Sequence, residues 1–177
     1  TEKKSLELTD LIEEIKIPLE IKFYNKDRDV SFVAIPKNMF DDENHYRMFL
    51  SYFSLSKEEY FIDFKKYDKM FEYIRYREAK ITVLISRLEH IEDWEEDSKA
   101  NYVKFIMLNG YDIVMRIIDK HNVRTLKNLL ALVPAINEEN IAQIIEYSNK
   151  TRKVDFISYL LDYKATYFSD IKRKYDL

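Results

Sequence analysis

The chain has 177 residues, with 46% hydrophobic and 34% charged side chains, which suits one folded core and excludes a disordered polymer. It holds no Cys, which excludes disulfides, thiolate metal sites and cysteine nucleophiles, and a single Gly, which argues against glycine-rich phosphate loops. The net charge of −3 is too small to be a molecule-wide signal for nucleic acid, and no apolar run approaches the ~20 residues of a membrane helix.

In chain order, Leu6, Leu8, Leu11, Ile12 and Ile15 space a short amphipathic helix that starts near Thr9. The period then shortens. Ile17, Leu19, Ile21 and Phe23 alternate with Glu20, Lys22 and Tyr24, the period-two pattern of a half-buried strand. Residues 25–29 form a polar turn and Val30 to Ile35 a second strand before Pro36, so a β-hairpin is expected. Pro18 at the start of the first strand fits an edge position.

From Asp41 onward the signal is helical. Asp41 or Asp42 caps a helix striped by Tyr46, Phe49, Leu50 and Phe53. Ser56-Lys57-Glu58-Glu59 reads as a capping box that opens a helical stretch over 57–91. Its stripe is Tyr60/Phe61, Phe64, Tyr67, Phe71 and Ile74, then Ile81, Leu84, Ile85 and Leu88; Glu78 interrupts it, and a break is expected within 63–68. Residues 89–98 make an acidic connection carrying the only Trp, Trp94. Asp97 or Ser98 caps the next helix, with Gly110 marking a kink or boundary between Tyr102, Val103, Phe105, Ile106 and Ile113, Val114, Ile117, Ile118. A short helix over 123–133 ends at Pro134, Asn137 caps another, and a helix over 154–168 precedes the basic Lys172-Arg173-Lys174. The division is residues 1–56, with the first helix, the hairpin and a short helix, and residues 57–177, the helical part, packed as one domain.

The helical part partly repeats. Leu126, Leu129 and Leu130 stand 31 residues before Ile157, Leu160 and Leu161, close to the roughly 33-residue period of ankyrin-type arrays. The blocks Ile136-Asn137-Glu138-Glu139-Asn140-Ile141 and Ile157-Ser158-Tyr159-Leu160-Leu161-Asp162-Tyr163-Lys164 resemble degenerate ankyrin-like helical hairpins of low-GC bacteria and their phages, over residues 67–168. The resemblance implies a stacked array of antiparallel helical hairpins that displays a binding surface, and it brings no catalytic residues. The ankyrin tetrapeptide and the glycine between helices are missing, with Asn122 or Asn149 as stand-ins because Asn tolerates a left-handed backbone. An irregular helical bundle is the alternative fold.

Candidate sites follow from side-chain chemistry. His45, His90 and His121 lack the one-turn spacing of zinc ligands, so no metal or other cofactor is expected. The acidic run Glu89, Glu92, Asp93, Glu95, Glu96 and Asp97 lacks the alternating ligands and central Gly of a calcium loop, and reads as a contact patch for a basic partner. Trp94 within it is either an interface anchor or a plug folded back on the helix ends. Over 64–80, Lys65, Lys66, Lys69, Arg75 and Arg77 interleave with Tyr67, Tyr73 and Tyr76. Cations for phosphates and rings for bases are the needs of single-strand binding, although Asp68, Glu72 and Glu78 dilute the charge. Ser86 and Ser158 have no nucleophile elbow, and no Ser–His–acid set is legible, so no enzyme is expected.

The sequence thus predicts a mainly α protein, an N-terminal β-hairpin followed by antiparallel helical hairpins in an irregular ankyrin-like array. Its expected function is protein–protein interaction, as an adaptor, inhibitor or immunity-type protein of the cytoplasm, using Trp94, Glu92, Asp93, Glu95, Glu96, Tyr73 and Tyr76. Another protein is the expected partner, a second copy stays among the options, and no membrane is involved. The alternative is a nucleic-acid-binding or regulatory factor using the basic aromatic helix.

Overall fold

The computed structural model describes residues 19–24, 30–35, 53–55, 60–62, 64–89, 91, 94 and 96–168. The expected helices near 9–16 and 41–52, the turn at 25–29 and the basic tail lie outside the described residues. What is described is mainly helical, and none of its helices is long and apolar enough to cross a membrane. The chain separates into two compact units, one up to Tyr102 and one from Val103.

In the first unit, strand β1 (Leu19–Tyr24) pairs antiparallel with β2 (Val30–Ile35), in a register running from Leu19↔Ile35 to Tyr24↔Val30. Strands β3 (Phe53–Leu55) and β4 (Tyr60–Ile62) pair antiparallel as a second two-stranded sheet. Helical structure was expected across both. The aromatic and β-branched residues there satisfy a strand as readily as a helix, because a run of three to five residues is too short for its period to decide.

Helix α1 (Phe64–Lys69) passes into a 3₁₀ turn (Met70–Tyr73), and an extended stretch then leads to helix α2 (Arg77–Leu88). The break falls after the predicted 63–68 window. Ile74 is extended at φ −65°, ψ 121°, as is Tyr76 at φ −86°, ψ 129°. Met70, Phe71 and Ile74 are all buried across this break, so tertiary packing overrides a locally helical pattern. The basic aromatic stretch is thus two helices and a connector, not one helix. Every residue of α2 from Val83 to Leu88 is buried, including Ser86 and Arg87; a helix buried all round is the centre of its unit. It packs against β2.

Helix α3 (Glu96–Lys120) runs unbroken through Gly110, correcting the expected kink. Its part from Val103 onward belongs to the second unit, with α4 (Val123–Leu132), α5 (Ile141–Lys150) and α6 (Val154–Phe168). Ile106, Ile113, Val114, Ile117 and Ile118 are buried with Leu126 and Leu129 of α4, Ile141 and Ile144 of α5, and Phe156 and Leu160 of α6. Asn122 caps α4 through its side-chain oxygen, 3.0 Å from the Thr125 N–H. Asn137 and Asn140 exchange side-chain bonds to each other's N–H groups at 2.9 Å, a reciprocal cap before α5. Helix α5 ends in a Schellman turn: the Lys153 N–H reaches Ser148 O at 2.9 Å and the Arg152 N–H reaches Asn149 O at 3.0 Å. Its left-handed position is Arg152, at φ 58°, and neither Asn stand-in takes that role.

The 31-residue offset survives only in part. Leu126, Leu129 and Leu160 are buried, Leu130 and Ile157 half-buried, and Leu161 exposed. The inward row of α6 is instead Phe156 and Leu160, one helical turn apart.

Candidate functional site

Four places in the structure concentrate polar or exposed chemistry, two in each unit. In the first unit, α1 turns Asp68 inward and α2 turns Arg87 inward to meet it. The guanidinium Nε donates to Asp68 Oδ1 at 2.8 Å and Nη2 to Oδ2 at 3.1 Å, a bidentate pair with both side chains essentially unexposed. The Tyr102 hydroxyl donates to Asp68 Oδ1 at 2.8 Å, and the Phe64 ring lies 4.1 Å from the guanidinium carbon. Arg87 Nη1 has no hydrogen-bond partner among the described residues. The Tyr67 hydroxyl donates to Ala34 O at 2.8 Å, tying α1 to β2. Burial, and then the Asp68 charge, push both phenols above their ordinary pKa.

Trp94 closes this cluster. Its indole N–H donates to Arg87 O at 3.1 Å, and its ring stacks on Tyr102 at 4.5 Å, which in turn lies 4.2 Å from Phe71. The side chain is half-buried, with its donor and one face used within the unit. These contacts are of the kind that the plug reading of Trp94 expects, and its second face is left to the surface. Of the acidic patch, Glu96 is exposed and paired to Lys99 at 3.4 Å, while Glu92, Asp93 and Glu95 lie outside the described residues. Both side chains of the pair are buried, so their contacts lie within the packing of the unit.

The basic aromatic residues are on the surface. Lys65, Lys66 and Lys69 are exposed on α1, and Arg75 and Arg77 flank the start of α2. Tyr73 and Tyr76 are 54% and 46% exposed, with the Arg75 guanidinium carbon 5.7 Å from the Tyr76 ring centre. Tyr67 is separated from them, being buried. Among the described residues, no group of His, Asp and Glu side chains could hold a metal ion.

In the second unit, two features were not legible as sites. On α3, Met107 and Leu108 are 71% and 78% exposed and Tyr111, one turn on, 39%. Three large apolar side chains share one face of a helix that is otherwise buried through Ile106, Ile113 and Val114. The other feature is an open groove of about 950 Å³ at the starts of α4 and α6, lined by Arg124, Lys127, Arg152 and Lys153 against Asp155 and Asp162. Lys127 Nζ lies 5.2 Å from the Tyr159 ring centre, and Lys153 Nζ donates to Asp119 O at 3.0 Å. The signal available in the sequence was the placement of Arg124 and of Arg152-Lys153 at helix starts, where acids are normally preferred.

The chain matches no protein-family model, no curated protein and no solved structure, so a functional reading rests on these surfaces.

Proposed function

We propose that the chain is a protein–protein interaction module with no chemistry of its own, built with an N-terminal β-hairpin and antiparallel helical hairpins in an irregular ankyrin-like array. It acts by surface complementarity, as an adaptor, inhibitor or immunity-type protein in the cytoplasm of a bacterium or its phage. One observation carries the reading: Met107, Leu108 and Tyr111 stand together in solvent on α3. Single exposed apolar residues need no explanation, but contiguous ones on a rigid helix mark contact surfaces. The occupant is an apolar face of another protein, since Lys104 and Asp112 beside the stripe are also exposed and give it the polar rim of an interface.

The test is capture from host extract followed by reconstitution of the purified pair. A single protein bound at fixed stoichiometry, and released by Met107→Glu with Leu108→Glu, supports the reading. Undiminished binding by that variant overturns this surface, and self-association of the purified chain that the same variant abolishes assigns the stripe to a second copy. A second reading has its own observation: exposed Tyr73 and Tyr76 beside Lys69, Arg75 and Arg77 offer rings and cations to single-stranded nucleic acid. It predicts affinity that falls with Lys65→Gln, Lys66→Gln and Lys69→Gln together.

A further inference from the structure

We propose that the groove at the starts of α4 and α6 binds an acidic peptide segment of a protein partner. The proposal rests on the reading of the chain as an interaction module, but uses a surface separate from the α3 stripe.

The argument begins with charge. The whole chain carries a net charge of −3, yet four cations converge on this one groove: Arg124 and Lys127 from α4, and Arg152 and Lys153 from the turn before α6. Asp155 and Asp162 line it too, so the fixed charge there is positive by two. Two of the cations, Arg124 and Arg152, sit where the fold least welcomes them. The first turn of α4 holds Arg124 and no acid, although the positive end of a helix dipole favours acids. Arg152-Lys153 immediately precede α6, whose first turn has a single acid, Asp155. Like charges gathered at two positive helix ends raise the energy of the empty groove, and a carboxylate-rich occupant lowers it again.

Backbone geometry places one of these cations in the same way. Arg152 takes the left-handed position of the Schellman turn, where Gly is the usual residue and a side chain with a Cβ is strained. Two of the four cations are already part of local contacts, Lys127 over Tyr159 and Lys153 on Asp119 O, which hold their side chains along the groove. The exposed Val154 adds an apolar contact beside the charges, as peptide recognition uses.

A peptide fits this groove better than a nucleic acid. Of the aromatic rings in its lining, Phe156 is buried and Tyr159 lies under Lys127, so neither offers a free stacking platform.

The experiment uses fluorescence polarisation with the full chain, a labelled deca-glutamate peptide and a labelled single-stranded oligothymidylate of the same length, at about 50 mM salt. Binding of the peptide is expected to weaken by about tenfold when Arg124→Glu is combined with Lys127→Glu. Arg152→Gly keeps the protein folded, because Gly is the favoured residue at a left-handed position, and it too is expected to weaken the peptide. The Lys65→Gln, Lys66→Gln, Lys69→Gln variant is expected to bind as the parent does. No peptide binding, equal loss in the α1 variant, or tighter binding of the oligonucleotide through the same groove residues would each overturn the proposal. Peptide binding that persists in the Met107→Glu, Leu108→Glu variant separates this site from the stripe on α3.

Discussion

At the scale of single residues, the Asp68–Arg87 pair decides how the first unit packs. Removing two charges from water costs several kcal/mol each, and the pair offsets that only through its bidentate geometry and the Tyr102 hydroxyl. Asp68→Asn presents an amide NH₂ to the guanidinium and leaves its charge uncompensated, so about 3–5 kcal/mol should be lost in urea unfolding. Replacing the set together, by Asp68→Leu, Arg87→Met and Tyr102→Phe, should restore most of that stability, because apolar side chains of similar volume carry no desolvation cost. The two phenols give a pH dependence of known sign. Burial raises the folded-state pKa of Tyr67 and Tyr102 above the ordinary value near 10, so the unfolded chain loses these protons first. Their contribution is complete below about pH 10 and declines as pH rises beyond it, by about 1.4 kcal/mol per pH unit for each group. Unfolding free energies measured from pH 9 to pH 11 (a range of about two units around that value) should show the decline, and Tyr102→Phe should make it shallower. A flat profile would remove the buried phenols from the stability of this unit.

At the scale of elements, Gly110 shows what a helical pattern conceals. The sequence places the only glycine of the chain inside a helix and suggests a kink, yet α3 is continuous there. The reason lies across the unit: a Cβ at Gly110 would stand 3.0 Å from Ala135 Cβ and 3.3 Å from Ala135 Cα. The glycine admits the segment between α4 and α5, which the sequence cannot reveal because Ala135 is distant along the chain. Gly110→Ala should change stability by less than about 1 kcal/mol, as the gain in helix propensity offsets the crowding. Gly110→Leu should cost about 1–3 kcal/mol by overpacking, and combining it with Ala135→Gly should recover part of the loss in urea unfolding followed by circular dichroism. The elements that could be read from sequence are those with a clear apolar period, such as α4 over Val123–Leu132 and α6 over Val154–Phe168. Those that could not were decided by partners elsewhere. The connector at Ile74–Tyr76 interrupts a good helical stripe because Phe71 and Ile74 both turn inward, and Arg87 reads as a solvated charge until Asp68, 19 positions earlier, is placed beside it. The candidate site divided the same way: Tyr73 and Tyr76, whose spacing also fits a core, are exposed, Trp94 could be read either way, and the α3 stripe was hidden among core residues of the same helix.

At the scale of the whole molecule, charge is treated differently in the two units, and that difference separates the functional readings. The first unit buries one ion pair and displays the cations of α1, whereas the second displays cations in its groove and apolar side chains on α3. The range of each force then decides the outcome in salt. Exposed charges are screened over about 10 Å at 0.1 M ionic strength, while removal of apolar surface from water is unaffected or strengthened by salt. A partner held by Met107, Leu108 and Tyr111 should keep its affinity within about threefold between 50 and 500 mM NaCl, and its binding enthalpy should become more negative on warming, the mark of buried apolar area. A nucleic acid held by Lys65, Lys66 and Lys69 should instead lose affinity by orders of magnitude over the same range, because each neutralised phosphate releases counterions. Calorimetry of the purified complex at two salt concentrations and three temperatures reads both quantities. A steep salt dependence with no heat-capacity change would move the function from the apolar stripe of α3 to the charged surface of α1.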